Sequence, residues 1–463
     1  MNIRNAELGC ESTAPRICCC DVGSPRRHSS FSHRSSFGIS RRPQMKFNQR
    51  GPFGLPGALS AATDTPGLAK PTRDDLQDHL EDSLHAGHAP GLVGLVAHGD
   101  DVQHVVLGRM AQDGPAMQRD AIFRIASMSK PVTAAATMML IADGKLKLEE
   151  PVDRLLPELA NRKVLRSVDG PVDDTVPANR AITVEDLLTF RCGYGLLLVP
   201  PGTYPIQKDI AELGIVGFGP PDPNMPFDGD AWLKRLATLP LFAQPGERWI
   251  YTAGSNILGV LIARASGRSF GDFLAERIFE PLGMKDTAFY VPPTKLERLV
   301  TAYRPKDGSL EVWDDPATGG WSRPPAFEQG DGGLVSTADD YLAFVRMLLA
   351  GGAHKGRQLL PSDAVAAMMS NQLTPAQRLD GEIILQEGQG WGYGMSVAVE
   401  KTPTGASVGT VGWSGGFGTR WQSDPAKKLT TILLTQRMFD GPKPVSIFDQ
   451  FEQDARMLAE THR

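Results

Sequence analysis

No stretch of the 463-residue sequence approaches 18 consecutive apolar residues, so no helical membrane span is expected. Cysteine is scarce and unevenly placed: Cys10, Cys18, Cys19 and Cys20 fall at the start, and Cys192 stands alone. A body with one cysteine cannot be held by internal disulfides, which suits a reducing compartment. Histidine is missing from 105 to 353, and no HxH or HExxH spacing occurs, which sets zinc hydrolases aside. There is no GxxxxGK[ST] phosphate loop, and no cofactor or metal is expected. A net charge of −5 gives no reason to expect a nucleic-acid partner. The N-terminus has no apolar run of about 7–15 residues, so no secretory signal is seen and the expected location is cytoplasmic.

What is present is ordinary globular composition, 41% apolar and 22% charged, in a chain long enough for one large domain or two. Residues 1–68 differ from the rest, with nine Lys/Arg against four Asp/Glu and no helical or strand period. They read as a disordered tail, or as residues ahead of a true start at Met45. From 69 the sequence reads as folded. TRDDLQDHLEDSLHAG has helical spacing at Leu76, Leu80 and Leu84. GLVGLVAHGDDVQHVVLG predicts two strands around Gly99-Asp100-Asp101. Helical patterns dominate from about 130 to 290, and strands return in GASVGTVGW, GTRWQSD and KLTTILLTQR. A last amphipathic helix spans roughly 445–460, with Ile447, Phe448, Phe451 and Met457 on one side.

This order predicts an α/β plus all-α protein: an antiparallel sheet flanked by helices, with a large helical region inserted. The sheet domain takes 69–120 and 331–463, and the mostly helical domain takes 121–330. Between Tyr194 and Asp230 lie seven prolines and six glycines, interleaved with apolar residues that include Leu196, Leu198, Ile215, Val216 and Phe218. So long a connection is expected to be a packed flap.

Three stretches carry chemistry. In FRIASMSKPVTAAATMMLIADGKL, Ser127 and Lys130 stand three apart at a helix start, so they share a face and the amine can reach the hydroxyl. Pro131 suits a first turn. The bare spacing also arises by chance, and Ser129 is a rival serine with only Val132 three residues on. In PGERWIYTAGSNILGVLIARASG, Tyr251 stands at a loop-to-helix junction, where it is either a packed tyrosine or a general base facing a cleft. In TVGWSGGFGT, residues 412–416 match GxSxG, but a strand and turn follow where a nucleophile elbow needs a helix. The only histidine downstream is His462. Ser414 is therefore rejected as a nucleophile, and the glycine-rich strand is read as an oxyanion or substrate edge.

Taken in order, FRIASMSK, TVEDLLTF, PGERWIYTAGSNILGVLI, FEPLGMKDTAF, DGGLVSTADDYLAFVRMLL and the WSG block resemble the serine β-lactamase and penicillin-binding-protein superfamily. The likeness covers about 70–460 and is nearest to the class C and family VIII carboxylesterase branch. It implies a β-lactamase/transpeptidase-like fold with the serine where the two domains meet. It implies acylation of Ser127, with Lys130 as the motif's lysine and Tyr251 as the tyrosine base. The oxyanion donors would be the N–H groups of Ser127 and Gly416, and Trp413, Ser414 and Gly415 would bind substrate. Two departures stand out. Tyr251-Thr252-Ala253 replaces YxN, with Asn256 the nearest asparagine. Trp413-Ser414-Gly415 replaces K-T-G, which removes a cation that would pair with a substrate carboxylate unless Arg420 supplies one. The resemblance thus points to a serine esterase acting on a small-molecule ester through an acyl-serine. A peptidase or amidase acting on short peptides, a weak β-lactamase and a non-catalytic binding protein are the alternatives.

Overall fold

The computed structural model describes residues 73–215 and 222–461. The 1–68 tail lies outside the described residues, as do Val216 and Phe218. Helix α1 (Arg73–His85) keeps the predicted leucine spacing, with Leu76 and Leu80 buried. Strands β1 (Gly91–His98) and β2 (Asp101–Gly108) form the predicted hairpin, turning through Gly99 at φ 61°.

The middle of the chain is largely helical. Helix α2 (Ser129–Ala142) buries every residue from Ser129 to Leu140, with polar Ser129, Lys130, Thr133 and Thr137 buried among its apolar residues. Helix α3 (Val184–Leu188) opens on a capping box: Asp186 N–H donates to Thr183 Oγ1 at 3.2 Å, and Thr183 N–H donates to Asp186 Oδ2 at 2.9 Å. Helices α4 (Ile206–Leu213) and α5 (Gly229–Leu236) follow. Helix α6 (Ala253–Ser266) packs against α2 and α3 and ends at Gly267 in the left-handed region. Helix α7 (Ala338–Leu349) is capped by Thr337, whose side chain accepts from Asp340 N–H.

The chain then returns to strands: β3 (Gln389–Trp391), β4 (Ser396–Ala398), β5 (Val411–Gly415), β6 (Thr419–Asp424) and β7 (Leu429–Thr435). They join the hairpin in one seven-stranded antiparallel sheet of order β3-β4-β5-β6-β7-β1-β2. All seven strands lie within 69–120 and 331–463, so both ends of the chain build the sheet. Strand side chains alternate between faces. Leu92 and Leu433 pack with α1 and the final helix, α8 (Ser446–Thr461). Val93, Leu95, Ile432 and Leu434 face the main core shared with α2 and α7. Each such aliphatic burial contributes about 1.5–3 kcal/mol. The expected stripe of α8 needs one correction. Ile447, Phe448 and Phe451 are buried, but Met457 is 40% exposed, because the stripe runs on through Ala455 and Leu458 instead.

Candidate active site

Ser127 sits in a single 3₁₀ turn (Ala126–Met128) that leads into α2. Ala126 holds φ 43°, a left-handed conformation that costs a non-glycine residue of order 1–2 kcal/mol. Neighbours pin the turn from several sides. Ile125 N–H donates to Leu334 O at 3.1 Å, Thr419 Oγ1 donates to Ile125 O at 3.1 Å, and Tyr341 Oη donates to Met128 O at 2.9 Å. The rival Ser129 is fully buried and accepts Leu334 N–H at 3.2 Å, which leaves it a structural task.

Lys130, one α2 residue further, is 1% exposed and donates from Nζ to Ser127 Oγ at 2.9 Å and to Asp331 O at 2.5 Å. Burial pulls its pKa down to about 8, against the opposing charge of Asp331. Tyr251 enters from the loop before α6. Its ring meets Phe190 edge-on at 5.6 Å, and Lys130 Nζ lies 4.7 Å from its centroid. Its hydroxyl accepts the Trp413 indole N–H at 2.8 Å, and it shares the cavity wall with Ser127. Burial raises the phenol's pKa well above its ordinary value, and the Ser127 and Trp413 side chains only partly offset this.

These groups line one cavity of about 560 Å³ together with Asn256, Ser414 and Gly416. Leu196, Leu198, Ile215 and Met225 supply an apolar wall, so the described part of the Pro/Gly-rich segment does pack against the site. Gly415 is the exception among the expected substrate-binding residues. It does not line the cavity, and a Cβ there would stand 2.2 Å from Ile125 O, so this glycine lets β5 press against the Ser127 turn. Ser414 lies inside β5, opposite Arg420, and a hairpin into β6 follows. Gly416 is the first residue past the strand, with its carbonyl accepting Phe439 N–H at 3.0 Å.

A family model for beta-lactamases matches residues 76–450. The chain belongs to the beta-lactamase family. Protein Rv1367c of Mycobacterium tuberculosis is 38% identical over 376 residues, covering 79% of this chain and 90% of that one. Esterase EstB of Burkholderia gladioli is 31% identical over 385 residues, 78% of this chain and 90% of its own. Among solved structures, EstCE1, a hydrolase with promiscuous acyltransferase activity, superposes with a TM-score of 0.68 at 25% identity, covering 83% of this chain and 97% of its own. The expected beta-lactamase/transpeptidase-like fold is therefore the fold of this chain.

Two features of this beta-lactamase-family site escaped the sequence. Arg420 does line the cavity, but it is 4% exposed and committed: Nη1 donates to Asp449 Oδ1 at 2.9 Å, and Nε lies 2.7 Å from Glu452 Oε1. It therefore does not stand in for the missing cation. Asp331 was passed over inside the DGG block, although an acid directly before two glycines is the kind of turn that brings backbone close to a site. Asn256 faces the cavity, with its Oδ1 accepting Asp331 N–H at 3.1 Å.

Proposed function

We propose that this chain is a serine hydrolase that cleaves neutral carboxylic esters through an acyl-enzyme on Ser127. The observation that carries the reading is the 2.9 Å contact between Lys130 Nζ and Ser127 Oγ, with the Tyr251 ring 4.7 Å from the same amine, in a cavity that all three residues line. Membership of the beta-lactamase family, with an esterase among its relatives, supports hydrolase or acyl-transfer chemistry.

The residues divide the work as follows. A base must lose its proton near the working pH. Lys130, at about 8, meets that condition better than Tyr251, whose phenol is pushed far above it. Neutral Lys130 takes the Ser127 proton as Oγ bonds to the ester carbonyl carbon. The Ser127 and Gly416 N–H groups receive the oxyanion. Collapse of the tetrahedral species breaks the bond to the alkoxide, and the Lys130 proton reaches that oxygen by way of Tyr251. Water then adds to the acyl-serine by the same route reversed, releasing the acid and restoring Ser127. The apolar wall of Leu196, Leu198, Ile215 and Met225 also suits an alcohol in the place of water, which gives acyl transfer as a second reading.

The lining supports neutral substrates. Besides Lys130, the cations on it are Arg420, held by Asp449 and Glu452, and Arg304, held by Glu311. Ser127→Ala is expected to abolish hydrolysis of p-nitrophenyl butyrate, and Ser414→Ala to leave most of it. A fluorophosphonate probe should label a peptide containing Ser127. Labelling of Ser414 instead would overturn the assignment.

A further inference from the structure

Asp331 precedes Gly332-Gly333 and touches three parts of the site at once. Its carbonyl accepts Lys130 Nζ at 2.5 Å. Its N–H donates to Asn256 Oδ1 on α6 at 3.1 Å. Its Oδ2 accepts Thr252 Oγ1 at 3.0 Å, while Oδ1 is closed off from solvent with no hydrogen-bond partner among the described residues. Thr252 is the residue after Tyr251 and holds φ 92°. A β-branched residue in that region is an outlier that survives only where its surroundings over-determine it. Asp331 is the side chain that the Thr252 hydroxyl engages.

Resting on the reading that Ser127 is acylated, we propose that Asp331 is a positioning residue of the reaction. Its carboxylate fixes the strained Thr252 turn, and so aims the Tyr251 hydroxyl at Ser127. Its carbonyl, on the same residue, docks Lys130 against the serine from the other side. One residue thus holds both partners of the nucleophile in register. A loose fit of about 1 Å in such a constellation costs on the order of a hundredfold in rate.

The carboxylate has an electrical effect as well as a mechanical one. Its charge favours the protonated form of Lys130 and also that of Tyr251. The other charged groups on the cavity wall are occupied. Arg420 pairs with Asp449 and Glu452, Arg304 with Glu311, and Asp440 with Arg437, while Asp222 accepts Asn224 N–H. Neutralising Asp331 therefore lowers the pKa of the base, whichever of the two groups carries the proton.

The test compares Asp331→Asn, Asp331→Glu and Thr252→Val in the full chain, with p-nitrophenyl butyrate across the pH range of activity. Asp331→Asn should lower plateau kcat about tenfold with KM within about twofold, as expected when a contact that positions the reacting groups loosens. It should also move the rising limb of kcat/KM to lower pH, a shift that a merely structural role does not produce. Thr252→Val keeps the branch but removes the donor, so kcat falls while the limb stays in place. Asp331→Glu keeps the charge and misplaces the turn, and should behave like Thr252→Val. Wild-type kcat and an unmoved limb in Asp331→Asn, or a change confined to KM, would overturn the proposal. Should Asp331→Asn fail to fold, wild-type kcat in Thr252→Val overturns it alone. Activity surviving Ser127→Ala is a different failure, which removes the reading beneath.

Discussion

The indole nitrogen of Trp413 donates to the Tyr251 hydroxyl at 2.8 Å, across 162 residues of sequence. Trp413 is 8% exposed and its ring meets Trp391 edge-on at 4.6 Å, so it is more than an apolar plate offered to substrate. It belongs to the electrostatics of Tyr251.

Trp413→Phe keeps the ring and deletes this donor. A neutral hydrogen bond contributes about 1 kcal/mol, which is roughly fivefold in rate. The expected result is a fall of that size in kcat with KM little changed. Steady-state kinetics on p-nitrophenyl butyrate check it, and an unchanged kcat would mean that the bond is idle.

The proposed role of Lys130 as the base carries a pH dependence. Protonated, it cannot accept the Ser127 proton, so kcat/KM should fall as pH drops through about 8. Lys130→Arg stays protonated throughout and should be inactive at every pH tested. A profile flat from pH 6 to pH 9 would exclude neutral Lys130 as the base.

Substrate charge follows from Trp413 and from the committed Arg420. With no unpaired cation besides Lys130 among the described lining residues, anionic β-lactams forgo a charge-assisted bond of roughly 1.5–3 kcal/mol, or on the order of tenfold to a hundredfold in kcat/KM. Neutral short-chain esters should therefore outrun nitrocefin by about a hundredfold. Trp413→Lys should narrow the gap from both sides, since it adds the cation and removes the donor to Tyr251. Comparable rates for both substrates in the unmodified protein would defeat this.

His88 offers a stability test away from the site. Burial, helped by Arg437, pulls its pKa down to about 4. The unfolded chain takes up the proton near 6.5, the folded chain only near 4, so stability is lost as pH falls across that window. Melting temperatures measured from pH 7 to pH 4 should drop less steeply in His88→Asn than in the parent. Parallel curves would show that other groups carry the acid sensitivity.

Local patterns were legible wherever one element contained the whole signal. The leucine spacing of α1, the Gly99 hairpin and the Ser127–Lys130 pair all depend on neighbours within four residues, where backbone geometry fixes who meets whom. Met457 was misread for the same reason: its helical position sat beside the apolar stripe, and only the contact with the sheet showed which positions the stripe used. Gly415, which the resemblance placed with Trp413 and Ser414, is not among the lining residues, and a Cβ on it would stand 2.2 Å from Ile125 O, an approach that only the folded chain shows.

The sequence by itself determined the main elements and the pairing of Ser127 with Lys130, because strand and helix periods are short-range and repeat the same geometry in any fold. Only the tertiary structure decided which of the remaining residues line the cavity around Ser127 and what holds each of them there. Trp413, Asp331 and Arg420 are each far from their partners along the chain, and no local period links them. Arg420 shows why this matters: along the strand it looks like a free cation facing the cavity, yet α8 brings Asp449 and Glu452 onto it. A charge's meaning depends on what is packed beside it, and that is set when the sheet closes over its helices.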